Sequence, residues 1–168
     1  MQGDHFPRRQ RRQHRRRRGG GDANGARNPP RRGRTLPRLG FYEEAFGAIE
    51  TGSRFTDSDG RIGHAEISIG GNTVFVSDAY PDFDVHSPKS LGGTHVALHL
   101  QVDDADAAAE RLVAAGAEVK QPVAAQADGE RRGTFLDPFG YRWMIGEQVE
   151  TVTREELAKR VEGDFKVE

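Results

Sequence analysis

The sequence predicts an α+β fold of two tandem βαβββ modules, the first of them short of its first strand. Three observations carry this: an internal repeat, helix and strand periodicities in a fixed order, and glycines that punctuate them. The repeat has an offset of 69 residues. Ala45-Phe46-Gly47-Ala48 lies over Ala114-Ala115-Gly116-Ala117, Asp59-Gly60 over Asp128-Gly129, and Gly71 over Gly140. Thr35 lies over Asp104, and both residue types cap a helix by accepting from a free backbone N–H of its first turn.

Module one, residues 35–78, begins with a helix over Leu36 to Phe46, where Pro37 is tolerated in the first turn and Gly47 ends the run. Strands follow at Ile49 to Thr56, Arg61 to Ile69 and Thr73 to Ser77. By the repeat, its first strand belongs at residues 26–33. That stretch carries Pro29-Pro30 and no apolar alternation, so no strand is predicted there. A linker, 79–94, leads to module two, 95–150. This reads as strand His95 to Val102, helix Ala105 to Ala115, then strands Glu118 to Pro122, Arg132 to Asp137 and Tyr141 to Glu147. In residues 151–168, Thr153 and Glu156 have capping-box spacing, and Leu157 and Val161 share one helical face. A short terminal helix that docks on the domain is expected.

Composition sets the outer limits. A chain of 168 residues suits one domain, and the absence of cysteine removes disulfides, thiolate metal sites and cysteine nucleophiles. No apolar run is long enough to cross a membrane or serve as a secretory signal, so a cytoplasmic protein is expected. The net charge of −1 hides a division. Residues 1–34 hold 12 Arg against Asp4 and Asp22, and the remainder is correspondingly acidic. This Arg, Gly and Pro-rich tail cannot bury a core and is expected to be disordered, and a wrong start site or shifted frame would also produce it. Arginine runs bind phosphate through counterion release and could tether the chain to nucleic acid or an anionic surface, but no aromatic residues interleave this one, so nucleic acid is a disfavoured partner and no membrane is expected.

Three segments join the paired βαβββ pattern: Phe41-Tyr42-Glu43-Glu44-Ala45-Phe46-Gly47-Ala48, Gly60-Arg61-Ile62-Gly63-His64-Ala65-Glu66 and Asp137-Pro138-Phe139-Gly140-Tyr141-Arg142-Trp143. Together they resemble the vicinal-oxygen-chelate superfamily of glyoxalases, bleomycin-resistance proteins and extradiol dioxygenases, and within it the PhnB-like branch. The resemblance implies metal ligands on the first and last strand of each module, facing a shared cavity. The corresponding positions hold Ala97, Met144, Phe75 and Asn28, none of them His or Glu. It therefore implies a protein without a metal or other cofactor that binds or sequesters a small molecule, and by analogy a homodimer. The rival it leaves is a metal-dependent lyase or dioxygenase with a displaced set, such as His64, Glu66 and His99, or with His95 or His99 in the first-strand position.

Alternation names the lining independently of the resemblance, because successive strand residues face opposite ways. If Val96, Leu98, Leu100 and Val102 pack on helices, then His95, Ala97, His99 and Gln101 face the cavity. Tyr141, Trp143 and Ile145 point inward and leave Arg142 and Met144. In module one, Ala65, Ile67 and Ile69 leave His64 and Glu66, and Val74 and Val76 leave Phe75. With Phe135 as further apolar wall, His64, Glu66, Phe75, His95, His99, Gln101, Arg142 and Met144 make a lining suited to a small organic ligand. A histidine on a strand is also commonly a hydrogen-bonded sheet residue, and catalytic roles are left unassigned. No nucleophile motif or phosphate-binding glycine loop is present.

Overall fold

The structure, a computed structural model, describes residues 37–168. The Arg-rich segment 1–34, and with it the stretch 26–33, lies outside the described residues. Twelve elements follow: helix α1 (Pro37–Phe46), strands β1 (Ile49–Glu50), β2 (Phe55–Thr56), β3 (Ile62–Ile69) and β4 (Asn72–Val76), and a 3-10 turn (Pro81–Phe83). Then come β5 (Ala97–Gln101), α2 (Ala105–Ala114), β6 (Glu118–Ala125), β7 (Glu130–Leu136), β8 (Arg142–Gln148) and α3 (Arg154–Arg160).

Two four-stranded sheets result. In the first, β3 is central, with β4 antiparallel on one side and both β1 and β2 antiparallel on the other. In the second the order is β5-β8-β7-β6, with β5 parallel to β8 and the other pairs antiparallel. The parallel pair requires a crossover, which α2 supplies. The glycines of the repeat bear out the duplication. Gly47 and Gly116, Gly60 and Gly129, and Gly71 and Gly140 all adopt positive φ, between 63° and 103°.

Three expectations need correction. The strand foreseen from Ile49 to Thr56 is broken into β1 and β2, because Gly52 between them lies against the Glu66 carboxyl group and Arg54 turns back to pair with Glu50. The first strand of module two starts at Ala97 rather than His95, since Thr94 Oγ1 takes the Val96 N–H that a ladder would need. Strand β6 runs on through Pro122 to Ala125, which an edge strand with irregular register tolerates.

One core serves both modules. Leu39, Phe41, Tyr42 and Ala45 of α1 join Ala65, Ile67 and Ile69 of β3, Ala108 and Leu112 of α2, Phe135 of β7 and Trp143 and Ile145 of β8. Helix α1 reaches across to module two through Asp137, which is 2% exposed. Its carboxylate accepts from Tyr42 Oη and Trp143 Nε1, both at 3.1 Å, and from the backbone N–H groups of Phe139 and Tyr141, both at 2.9 Å. The Asp-Pro-Phe-Gly turn is thus closed from within and clamped to α1. Burial first, and the Asp137 carboxylate second, push the Tyr42 phenol well above its ordinary pKa, so it remains a donor.

Helix caps are those the residue types dictate. Asp104 accepts from Ala107 N–H, and Thr153 and Glu156 form a reciprocal capping box on α3. Helix α3 buries none of its residues and is tied down by Arg160, which pairs with Glu150 at 2.6 Å. No described helix is long and apolar enough to cross a membrane.

Candidate functional site

Each sheet turns one face toward the helices, and strand pairing fixes which side chains share the opposite face. In the first sheet the register sets Phe55 opposite His64, Phe75 opposite Glu66 and Ile49 opposite Ser68. His64 Nε2 lies 3.3 Å from Glu66 Oε1, and its ring centre is 5.1 Å from Phe75 and 6.0 Å from Phe55. Ile49, Phe55 and Phe75 are 67%, 64% and 69% exposed, so this patch is an open apolar surface with one polar pair at its middle.

In the second sheet the rows are Ala97, Arg142 and Leu136, then His99, Met144 and Thr134, then Gln101, Gly146 and Arg132. Here a carboxylate is buried: Glu130, at the start of β7, is 5% exposed. Its Oε1 is 3.1 Å from His99 Nε2, its Oε2 accepts from Arg132 Nη1, and Arg132 also reaches Asp128 at 3.3 Å. Gly146 makes this cluster possible. A Cβ there would overlap Glu130 Oε1 and stand 2.8 Å from His99 Nε2. Thr134 Oγ1 donates to Gln121 Oε1 at 3.0 Å on the same face.

The structure therefore brings His64, Glu66 and Phe75 together in one patch and His99, Gln101, Arg142 and Met144 in another. His95 precedes β5 and is exposed. Phe135 is placed otherwise than expected: it is 1% exposed on the helix side, where with Val113, Val119 and Val123 it lines a shallow depression beside α2. Its neighbours Thr134 and Leu136, not Phe135, are in phase with His99 and Arg142. Val96 and Leu98 do not pack on helices as expected but stay partly exposed, because β5 is an edge strand. Leu98 instead joins Tyr42, Val74, Val76 and Trp143 around a groove of about 240 Å³ beside β4. Sequence reasoning misses Glu130 and Arg132 because it begins the strand at Arg132, two residues after its start at Glu130. Carrying the alternation of Thr134 and Arg132 back two residues reaches Glu130.

Comparison with known proteins decides the family. A family model described as the Glyoxalase/Bleomycin resistance protein/Dioxygenase superfamily matches residues 38–145. The chain belongs to this superfamily. An uncharacterized protein of Mycobacterium tuberculosis is 40% identical over 122 residues, which is 71% of each chain. An uncharacterized protein of Arabidopsis thaliana is 31% identical over 123 residues, 68% of this chain and 72% of that one. The X-ray structure of an Arabidopsis thaliana gene product matches with a TM-score of 0.53 and 30% identity, over 66% of this chain and 86% of that one. A glyoxalase-related enzyme from Fulvimarina pelagi shares the fold at a TM-score of 0.51 and 22% identity, over 68% and 81% of the two chains.

The metal that such a fold implies does not fit the residues present. Ala97 and Phe75 offer no donor atom, and the Met144 thioether is a poor ligand for the hard and borderline ions that carboxylate and imidazole hold. Asn28 lies outside the described residues. Among the described residues, no three His, Asp or Glu side chains are grouped to hold an ion, so the displaced set His64, Glu66 and His99 is not assembled.

Proposed function

We propose that this chain is a small-molecule-binding member of the superfamily, of its PhnB-like branch, that holds its ligand on the helix-free sheet faces without a resident metal. The observation that carries this reading is the character of the second-sheet face. Where the family's ligands would stand there are Ala97 and Met144, and around them lie the His99 and Glu130 pair, Arg142 and Gln101. Apolar floor with a few convergent polar groups is the composition of an organic-ligand site rather than of an ion cage. The Asp137-Pro138-Phe139-Gly140 turn with Trp143 supports the branch.

The same reading includes a homodimer. Three large apolar side chains, Ile49, Phe55 and Phe75, lie open on one face of the first sheet, and contiguous apolar surface of this kind marks an association or binding face. A twofold dimer would cover it and convert two open faces into enclosed sites.

Elemental analysis of the dialysed, untagged full chain tests the central claim. Folded protein with only traces of divalent metal is the expected result. A stoichiometric metal that survives dialysis and supports turnover would refute it. Light scattering after gel filtration tests the dimer, and a monomer at micromolar concentration would rule that part out.

A further inference from the structure

We propose that His99, Arg142 and Met144 form a site for a small organic anion that also carries a hydrogen-bond donor, with Glu130 as the positioning residue. This deepens the reading above and rests on its claim that the helix-free face of the second sheet binds ligands.

The first component is an imidazole aimed by a buried acid. Arg132 Nη1 donates to one oxygen of Glu130, and the same nitrogen also reaches Asp128 Oδ2 at 3.3 Å. A carboxylate held in this way accepts at its second oxygen, so His99 Nε2 is the donor there. In the neutral imidazole the other ring nitrogen is then an acceptor. His99 Nδ1 has no partner among the described residues, and the side chain is 39% exposed. What it offers the face is a lone pair that requires a donor.

The second component is a cation without a counter-charge. Of the strand arginines, Arg131 pairs with Asp106 and Arg132 with Asp128 and Glu130, whereas exposed Arg142 has no carboxylate partner among the described residues. Arg142 stands opposite Ala97 and Met144 stands opposite His99. Arg142 and His99 are therefore diagonal neighbours on adjacent parallel strands, and a strand spacing of about 4.8 Å with two residues of about 3.3 Å rise sets their backbones about 8 Å apart, a gap that a long side chain and a small ligand span together. Met144 and Ala97 fill the floor between them. A carboxylate or similar anion meets the Arg142 fork, a hydroxyl or N–H meets His99 Nδ1, and the carbon body covers Met144.

The probe is mandelate, with phenylacetate as the analogue lacking the hydroxyl and 1-phenyl-1,2-ethanediol as the analogue lacking the charge. Isotope-labelled full-length chain is titrated and followed through backbone amide signals and the His99 ring nitrogens. Mandelate is expected to move the His99 Nδ1 signal and to bind about tenfold more tightly than phenylacetate, the worth of one added hydrogen bond. Arg142→Gln, an exposed substitution that spares the fold, is expected to weaken mandelate by tenfold or more. Glu130→Gln is expected to collapse the preference for mandelate over phenylacetate while leaving phenylacetate affinity as it was, which a merely structural role would not do. Equal affinity for mandelate and phenylacetate, or indifference to Arg142→Gln, overturns the proposal. Binding of the neutral diol alone at this face also overturns it and leaves the broader small-molecule reading standing. Silence from all three probes rejects this site, and the broader reading is then judged on the metal analysis.

Discussion

Asp137→Ala would remove the one acceptor that closes the Asp-Pro-Phe-Gly turn and joins it to α1. Four donors lose their partner: Tyr42 Oη, Trp143 Nε1 and the N–H groups of Phe139 and Tyr141. A buried donor left unpaired costs about 1–3 kcal/mol, and water relieves the two turn N–H groups more readily than the two side chains inside the aromatic cluster. The expected loss is about 3–5 kcal/mol, at the upper end of what single substitutions do. That is a large part of a total stability of roughly 5–15 kcal/mol. Tyr42→Phe keeps the ring and removes one donor, so about 1.5–3 kcal/mol is expected for a hydrogen bond to a charged acceptor. Urea unfolding followed by tryptophan fluorescence measures both, and the double variant gives the coupling between them. A loss below about 1 kcal/mol for Asp137→Ala at unchanged m-value would refute the clamp.

Raising the pH tests the same contact. A phenol whose folded pKa lies above its unfolded value of 10.0 supports folding fully below pH 10, and the support is lost as pH rises beyond it. Wild type should therefore lose up to about 1.4 kcal/mol per pH unit above pH 10 relative to Tyr42→Phe, and parallel curves would contradict this. Gly146→Ala should cost about 1–3 kcal/mol as an overpacked site and should shift the His99 ring signals, because the new methyl displaces Glu130. Unchanged His99 signals would show that the cluster does not depend on that glycine. Thr153→Ala should melt α3 without unfolding the rest, since the helix buries no residue. Amide exchange confined to residues 154–160 is the expected signature, and uniform loss of protection would mean that α3 holds the domain together.

Much of the architecture was legible because it rests on local chemistry. Glycines at matching repeat positions were readable as left-handed turns, and Asp104 and Thr153 as caps, since each acts within a few residues of itself. The core faces of β3 and β8 followed from alternation of large apolar residues with polar ones. Alternation failed where both phases are apolar. Thr134-Phe135-Leu136 gives no internal sign of which face is buried, and only pairing with β8 puts Phe135 beside Trp143 and sends Thr134 toward Met144. The break between β1 and β2 depends on Glu66, many residues away, needing the space above Gly52. Glu130 was overlooked because a charged residue at a strand start reads as turn, and its burial comes from His99 and Arg132 together. The candidate site was thus half visible: its side chains on β5 and β8 could be named, but not the acid that aims them.

The clamp between α1 and module two also has a consequence in time. Tyr42 and Asp137 are 95 residues apart. At a synthesis rate of about 5–20 residues per second, the phenol waits roughly 5–20 s on the ribosome before its acceptor exists. Throughout that interval the aromatic side of α1, with Phe41, Tyr42 and Phe46, faces a half-made chain that lacks Phe139 and Trp143. Closure therefore waits until module two has been made. Chaperones and proteases encounter an unfinished aromatic surface first, so variants of Asp137 or Trp143 should reduce the amount of protein in cells more than their stability in the test tube would suggest.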